Sequence, residues 1–428
     1  MSLPDLIEIE PLAAPAAAAI TVPGSKSITN RALVLAALGG QTTLTGALWS
    51  DDTRVMVDCL VRLGFAVKVE PDAAESANRT ITVTGLGGRI PRAGTESEPL
   101  VLFVGNAGTA ARFLATFVCL GHGVYRLEGV PRMHERPQAE LFASLRELGY
   151  RVDSPNDRLP ATIHGTGPRA AGCGVSMAGS SQFASALLLS AGTGGWQVRF
   201  AGTGDAEEAP YVAMTQRLVE AFPRDGGQFH VEPDASSGSY FWGADWLLGR
   251  GHGPERPRVR VNHWPDSGWQ VDGRFPGFLP LPPVVSRERD LGDSIMTGIV
   301  LAPFGQEPVE FTDLGRLRVQ ECERVAALRT ELGKCGARIE ERGDTLRVWP
   351  GALHGAEIET YDDHRMAMCF ATLGLQVSGL KIRNPSCVKK TFPNFFQKLS
   401  APGPAGLGAC IRDARTGRVL AGDRLLAP

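Results

Sequence analysis

Residues that hold anions occur together in one short segment near the N-terminus. Ser25, Lys26 and Ser27 precede an Ala/Leu-rich run, and Arg31 follows Ser27 by four residues. If the run is helical, Arg31 lies one turn beyond Ser27 on the same face. The helix N-terminus adds free amides and a partial positive charge to the ammonium and the hydroxyls. The segment therefore predicts a grip for a phosphate or carboxylate group, although a capped surface helix with solvated cations fits it equally well.

Further cations lie at loop or helix-start positions along the chain. Gly105 and Gly108 open a second segment, GNAGT, in which glycines let a ligand approach the backbone closely. Singly, each of the other cations resembles a solvated surface charge. They are Arg132, Arg136, Arg324, Arg365 and Lys390.

Two acidic residues are candidates for proton transfer. Asp293 lies at a helix opening and Glu321 at the head of the helix CERVAALRTEL. A carboxylate at such a position is most often only a helix cap. His364 in YDDHRM is expected to cap or orient, and the sequence alone does not make it a base.

Composition excludes several other kinds of site. The GSKS run lacks the spacing of a P-loop, and the Gly-x-Gly pairs do not extend to GxGxxG, so nucleotide binding is unsupported. The net charge of −2 indicates no nucleic-acid surface. Eight cysteines form no CxxC pair, and the N-terminus resembles neither a signal nor a transit peptide. We therefore expect a cytoplasmic protein without a metal, an organic cofactor, a nucleic-acid partner or a membrane span.

Six segments share one pattern, a small or polar opening followed directly by an apolar run of helical period. They start at Gly24, Gly105, Gly179, Asp234, Gly292 and Tyr361. Because the openings are irregularly spaced, the pattern indicates divergent duplication and not a solenoid. Six similar helix N-termini could converge on one ligand.

Between several openings lies a second, amphipathic helix that ends in Leu-Gly and leads into a strand. Gly64, Gly149 and Gly333 are the predicted C-cap residues, and RTITVTG and TLRVWP are predicted strands. A chain of 428 residues in this pattern predicts an α/β protein of two domains. The Gly/Pro-rich tract 266–283 and the tail after Leu399 are expected to be irregular and without catalytic residues.

The motifs taken together resemble, in order, those of the 5-enolpyruvylshikimate-3-phosphate synthase family. The matching segments are PGSKSITNRAL, GNAGTAARFL, PRMHERP, SSQFASALLL, DASSGSYF, RVQECERV, YDDHRMAM and KKTFPNF. The resemblance implies a two-domain inverse α/β barrel, the enolpyruvyl transferase fold, built from six βαβαββ-like units, three per domain. Residues 1–23 with 233–428 would form one lobe and 24–232 the other, with the active site in the cleft between them.

The resemblance also implies the activity and the site residues. The family transfers the carboxyvinyl group of phosphoenolpyruvate (PEP) to the 5-hydroxyl of shikimate-3-phosphate, a step towards chorismate and the aromatic amino acids. The residues that match the shikimate-3-phosphate site are Lys26, Ser27, Arg31, Ser180, Ser181, Gln182, Asp293 and Gln320. Those that match the PEP site are Lys26, Gly108, Arg132, Arg324, Arg365 and Lys390.

The implied mechanism passes through a tetrahedral intermediate. The 5-hydroxyl adds to C2 of PEP while C3 is protonated, and phosphate then leaves. Asp293 would take the hydroxyl proton. Glu321 and Lys26 would handle proton transfer at C3 and the departure of the phosphate. No cofactor is implied, and a monomer is expected.

Three positions depart from the family pattern. The RxKE motif reads RVQE, so neutral Gln320 replaces a lysine that helps to hold the shikimate phosphate. Glu208 stands at the position of a phosphate-binding serine, and Arg316 replaces an asparagine. These changes put the acceptor's phosphate site in question and leave the residues of the PEP site unchanged. The sequence suggests Arg316 as the residue that replaces the lost positive charge.

Two other classes of function stay open. One is an enolpyruvyl transferase with a different acceptor, which only these departures support. The cell-wall transferase that uses UDP-N-acetylglucosamine fits less well, because GNAGTAAR and SSQF occur together here. The other class is a non-catalytic anion-binding homologue, which would have lost the acid/base residues; Lys26, Asp293 and Glu321 are all present.

Overall fold

The chain divides into two compact units. A computed structural model describes residues 3–13, 16–176, 181–201, 210–253, 255–256 and 258–427. The terminal unit combines Met1–Pro23 with Pro233–Pro428, and the middle unit is Gly24–Glu232. None of the helices in this described part of the chain combines the length and the apolar composition that crossing a bilayer requires.

The described elements are mixed α and β. The strands are β1 (Leu6–Ile9), β2 (Ala18–Ile20), β3 (Gln41–Leu48), β4 (Ala66–Pro71), β5 (Asn78–Thr84), β6 (Leu100–Phe103), β7 (His122–Glu128), β8 (Arg151–Asp153), β9 (Ala161–Thr166), β10 (Ala171–Ser176), β11 (Trp196–Ala201), β12 (Gly227–His230), β13 (Val259–Val261), β14 (Val284–Ser286), β15 (Val309–Thr312), β16 (Ile339–Arg342), β17 (Thr345–Val348), β18 (Glu357–Ile358), β19 (Leu380–Arg383), β20 (Ile411–Asp413) and β21 (Val419–Leu420). The helices are α1 (Lys26–Leu38), α2 (Asp51–Arg62), α3 (Gly108–Phe117), α4 (Pro131–Glu135), α5 (Ala139–Glu147), α6 (Ser181–Gly194), α7 (Pro210–Ala221), α8 (Ala235–Leu248), α9 (Ile295–Leu301), α10 (Arg324–Lys334), α11 (His364–Gly374) and α12 (Phe395–Ser400).

Each unit contains three sheets in its described residues. In the middle unit the strand orders are β12-β3-β5-β4, β6-β7-β9-β8 and β10-β11; in the terminal unit they are β14-β15-β17-β16, β18-β19-β1-β20-β21 and β13-β2. Every one of these sheets contains one parallel pair, and its other neighbours, where present, are antiparallel. The recurring parallel pair fits an internally duplicated chain. The number of strands differs between sheets, and six equivalent units remain a prediction.

Five of the six predicted helix openings are confirmed as helix starts, at α1, α3, α8, α9 and α11. The sixth was predicted at Gly179, which lies outside the described residues; α6 begins shortly after it, at Ser181. Nearly all residues of α1, α3 and α11 are buried, because these helices are apolar or small on every side. In the middle unit α1, α3 and α6 contact one another, and in the terminal unit α8, α9 and α11 do. Each unit is thus organised around three buried helices.

The secondary helices end largely as predicted. Gly64 and Gly149 follow α2 and α5 with φ of 94° and 86°, a left-handed conformation that glycine adopts without a steric penalty. The expectation for Gly333 was wrong, because α10 continues through it to Lys334. Gly336, with φ of 86°, takes the left-handed position after that helix.

Two segments are more ordered than the sequence suggests. The tract 266–283 contains a 3-10 stretch, Val271–Phe278, whose Asp272 is buried. After Leu399, strand β20 pairs with β1, and the buried Leu407 and Leu425 pack into the core of the terminal unit. Both segments therefore belong to the packed structure.

Candidate active site

In the middle unit, the N-termini of α3 and α6 meet through polar side chains. Arg112 of α3 donates through Nη1 to Oε1 of Gln182 at 2.6 Å. The Gln182 amide in turn lies 3.5 Å from Oγ1 of Thr109, in the first turn of α3. Ser181, the first residue of α6, is buried beside Gln182. The structure thus brings two of the predicted helix openings together.

The N-terminus of α1 joins them through Arg31. Its guanidinium donates to Thr215 Oγ1 at 2.7 Å, to the Ser27 carbonyl at 2.9 Å and to Ser185 Oγ of α6 at 3.0 Å. It also lies 5.2 Å from the ring centroid of Phe113 in α3. Only 2% of the residue is exposed, and burial lowers the pKa of Arg31 to about 10. All these partners are neutral, so the positive charge of Arg31 is available to an anion.

Lys26 is the first residue of α1, where it adds a mobile ammonium to the same helix N-terminus. Its Nζ lies 3.4 Å from Oδ2 of Asp52 in α2, and its side chain is 15% exposed. Its carbonyl accepts a hydrogen bond from Asn30. The Asp52 contact holds the ammonium loosely, at the long end of ion-pair distances, so an anionic ligand could replace it.

Gly108 begins α3 directly beneath two guanidinium groups. A Cβ atom at this position would lie 2.7 Å from Nη1 of Arg112 and 2.7 Å from Nη2 of Arg136. Arg136 is held by the Asn106 carbonyl at 3.1 Å. A side chain at 108 would therefore displace cations that converge on the start of α3.

Arg132, the arginine expected at the PEP site, lies on α4. Its side chain is 46% exposed and pairs with Glu135 at 2.6 Å. Arg136 follows the end of this five-residue helix in an extended conformation, which turns it towards Gly108. The structure thus brings Arg136 to the predicted PEP residue Gly108 and leaves Arg132 on an exposed helix surface.

In the terminal unit, Asp293 is surrounded by arginines. Its carboxylate lies 3.0 Å from Nη2 of Arg287, 3.0 Å from Nε of Arg365 and 3.8 Å from Nη1 of Arg324. Burial by itself raises the pKa of Asp293, but the charges of Arg365, Arg324 and Arg287 outweigh it and hold the pKa far below the ordinary value. Asp293 is therefore ionised and is no helix cap.

Arg324 connects this carboxylate to two others. Its guanidinium donates to Asp363 at 2.7 and 3.2 Å, to Glu321 at 2.9 Å and to Oε1 of Gln320 at 2.5 Å. Lys390 lies 3.2 Å from the other oxygen of Glu321. Glu321 thus stands between two cations, and the cap of α10 is a different residue, Glu323.

The N-termini of the terminal unit's buried helices also converge. Asp363 caps α11 by accepting from the amide of Arg365 at 2.9 Å, and Arg365 reaches the hydroxyl of Tyr240 in α8 at 3.4 Å. His364, expected to cap or orient, is buried within the first turn of α11, where Asp363 makes the cap. Asp363 therefore accepts from the guanidinium of Arg324 and from the backbone amide of Arg365.

Sequence reasoning missed Asp272, which shapes the loop that carries Asp293. The Asp272 carboxylate accepts from the amides of Gly292 and Ser294 at 2.7 and 3.2 Å, one on each side of Asp293. It also accepts from the hydroxyls of Ser294 and Ser236, both at 2.5 Å. Its only sequence signal was a lone acidic residue in a Gly/Pro-rich tract.

Arg287 was missed as well, since it lies in the charged run SRERD, which resembles a solvated loop. It is 7% exposed and contacts Asp293 directly. Ser180 and Glu208 lie outside the described residues.

Comparisons with known proteins point to one family. A family model described as EPSP synthase (3-phosphoshikimate 1-carboxyvinyltransferase) matches residues 13–225 and 277–399. The chain is similar to proteins named 3-phosphoshikimate 1-carboxyvinyltransferase from Trichormus variabilis (36% identical, covering 92% of this chain and 98% of that protein) and Vibrio cholerae (36% identical, 89% and 96%).

Solved structures resemble it in fold. An EPSP synthase from Acinetobacter baumannii has a TM-score of 0.67 at 20% identity and covers 95% of this chain and 100% of that one. The enolpyruvyl transferase NikO from Streptomyces tendae has a TM-score of 0.62 at 16% identity, covering 95% and 98%. The predicted enolpyruvyl transferase fold is thereby confirmed.

Proposed function

Because this chain belongs to the EPSP synthase family, we propose that it transfers the carboxyvinyl group of PEP to the 5-hydroxyl of shikimate-3-phosphate and releases inorganic phosphate. The observation that carries the proposal is the pairing of an ionised, arginine-bound Asp293 with a second carboxylate, Glu321, that is held by Arg324 and Lys390. A non-catalytic anion-binding protein has no need of this carboxylate pair.

PEP carries a phosphate and a carboxylate, which together need several fixed cations. We propose Arg324, Arg365 and Lys390 from the terminal unit for this purpose, with Lys26 from the middle unit. Gly108 leaves room for the ligand at the start of α3. Arg132 is proposed as a further PEP ligand from its place in the family's motif, and Arg136 joins it because its guanidinium lies against Gly108.

We propose that the acceptor binds the residues that match the family's shikimate-3-phosphate site. These residues are Lys26, Ser27, Arg31, Ser180, Ser181, Gln182, Asp293 and Gln320. Arg31 supports this role because it is a buried cation whose hydrogen-bond partners in the described part of the chain are neutral.

The chemistry follows from the ionised state of Asp293. Asp293 takes the proton of the 5-hydroxyl as that oxygen bonds to C2 of PEP, and C3 gains a proton from Glu321 or Lys26. The resulting tetrahedral intermediate then loses a C3 proton, and its bond to the phosphate oxygen breaks. Cations beside the phosphate stabilise the charge that develops on it.

We also propose that the protein acts as a monomer in the cytoplasm. Its eight cysteines are all free thiols, as expected in a reducing compartment. Light scattering of the purified protein tests the monomer.

The decisive experiment measures phosphate release from PEP with different acceptors. Release that requires shikimate-3-phosphate is expected, since addition must precede elimination. UDP-N-acetylglucosamine and a reaction without acceptor serve as controls, and Asp293→Asn serves as the inactive variant. Equal release with every acceptor, or release only with another acceptor, would disprove the proposed substrate.

A further inference from the structure

Arg287 carries a buried positive charge that its contacts neutralise only in part, because Asp293 is shared with Arg324 and Arg365. It follows β14, is 7% exposed and, among the described residues, makes a single ion pair, 3.0 Å from Nη2 to Oδ1 of Asp293. Its Nε is buried without a hydrogen-bond partner in the described part of the chain. A buried donor of this kind is costly unless a ligand satisfies it.

The other arginines around Asp293 have further acidic partners or a proposed ligand. Arg324 pairs with Asp363 and Glu321 as well. Arg324 and Arg365 are the proposed PEP ligands. Once PEP neutralises them, Arg287 is the cation in contact with Asp293 that remains for a second anion.

Arg287 also lies next to the position where the family pattern has a lysine for the acceptor's phosphate. Gln320 occupies that position, and its Nε2 lies 3.5 Å from the same Oδ1 of Asp293 that Arg287 contacts. Gln320 brings no charge, and its Oε1 already accepts from Arg324. Arg287 and Gln320 thus lie against the same carboxylate oxygen, so Arg287 places a positive charge close to the position of the missing lysine.

We propose that Arg287 binds the 3-phosphate of shikimate-3-phosphate and makes this enzyme prefer the phosphorylated acceptor. The inference rests on the proposed function. Asp293 must lie against the acceptor's 5-hydroxyl, and the 3-phosphate is bonded to the ring carbon two positions away. The guanidinium beside Asp293 is thus near both groups, and it can contact a phosphate through two parallel hydrogen bonds.

The test compares kinetics with shikimate-3-phosphate and with unphosphorylated shikimate. Arg287→Gln is expected to raise KM for shikimate-3-phosphate by about 10-fold or more, the effect of losing a charge-assisted hydrogen bond. KM for PEP should change by no more than about twofold, because Arg287 is not a proposed PEP ligand. The preference for shikimate-3-phosphate over shikimate should fall by about 10-fold or more, the factor expected for KM of shikimate-3-phosphate. Arg287→Lys should retain most of that preference.

Three further variants separate phosphate binding by Arg287 from simple positioning of Asp293. Gln320→Lys in the Arg287→Gln background should restore the preference for the phosphorylated acceptor. Arg289→Gln, an exposed neighbour, is the matched control and should change neither constant. Arg316→Gln tests the arginine that the sequence suggested.

Several results would overturn the inference. If Arg287→Gln lowers kcat equally for both acceptors and leaves the preference intact, Arg287 only positions Asp293. If Arg316→Gln removes the preference while Arg287→Gln does not, Arg316 is the phosphate ligand. A wild-type protein without phosphate release from PEP and shikimate-3-phosphate would instead refute the proposed function itself.

Discussion

Replacing Asp272 with alanine tests whether this residue positions the candidate base. The Asp272 carboxylate accepts the amides on both sides of Asp293. Without it, the amides of Gly292 and Ser294 lose a buried acceptor, and the hydroxyl of Ser236 loses its partner. The loop that carries Asp293 should then move.

The structure indicates the size of the effect. Each buried amide that loses its acceptor costs about 1–3 kcal/mol, so Asp272→Ala should lower the free energy of unfolding by about 2–4 kcal/mol if water partly replaces the carboxylate. A shift of about 1 Å in a catalytic group lowers turnover about 100-fold. We therefore expect kcat to fall about 100-fold while KM for PEP changes little.

The conservative variant Asp272→Asn distinguishes positioning from charge. Its oxygen can still accept both amides and the Ser294 hydroxyl, and its NH2 group can donate to Ser236. Burial raises the pKa of Asp272, so a neutral side chain is tolerated there. Kcat should be restored to within about tenfold of the wild type, a loss of about 1.4 kcal/mol.

The assay is steady-state phosphate release, with thermal unfolding of each variant measured in parallel. Asp245→Asn is the matched control, since Asp245 is a buried carboxylate of the same unit that accepts from Arg256 and Arg258. A fall in kcat for Asp245→Asn as large as for Asp272→Ala would mean that destabilisation alone is responsible. Wild-type kcat in Asp272→Ala would refute the positioning role.

Three other predictions concern the two anion sites. Asp293→Asn should lower kcat at least about 100-fold, and its deficit in Tm relative to the wild type should shrink as pH falls below about 4. The sign follows from the lowered pKa of Asp293: the stabilisation is present above the unfolded-state pKa and is lost as pH falls. Gly108→Ala should raise KM for PEP, because its methyl group meets two guanidiniums at 2.7 Å; an unchanged KM would exclude this pocket. Arg136→Gln and Arg132→Gln should each raise KM for PEP about 10-fold or more; an unchanged KM in either variant would remove that arginine from the proposed site.

The helix openings were predictable because local chemistry determines them. A small or polar residue before an apolar run marks a helix start whatever surrounds it. This was sufficient for five of the six openings. Gly333 shows the limit of the same reasoning: a glycine within a helix costs only about 1 kcal/mol, which packing can outweigh.

The tail and the Gly/Pro-rich tract were not predictable, because their order comes from distant partners. Strand β20 forms against β1, which is about 400 residues earlier in the chain. Asp272 is fixed by donors on α8 and at the start of α9. Periodicity within a short window contains no information on either contact.

Arg132 and Arg136 show why site residues need geometry. Both lie in PRMHERP, and both are arginines at a helix end. What separates them is that α4 stops at Glu135, so Arg132 stays on the helix surface while Arg136 continues into the extended segment beside Gly108. That Arg136 lies beside Gly108 therefore depends on the backbone direction at the end of α4, which the sequence alone does not show.

The arginines around Asp293 suggest how the two substrates depend on each other. Without PEP, Arg324 and Arg365 hold the pKa of Asp293 low, and a carboxylate held in this way is a weak base. PEP would neutralise both arginines, so the pKa of Asp293 should rise towards its ordinary value only when PEP is bound. With PEP bound, Arg287 would still keep the Asp293 carboxylate ionised. When the acceptor binds, its phosphate would neutralise Arg287 as well. The base thus becomes effective only when both anions are in place, which would limit proton transfer in a half-filled site.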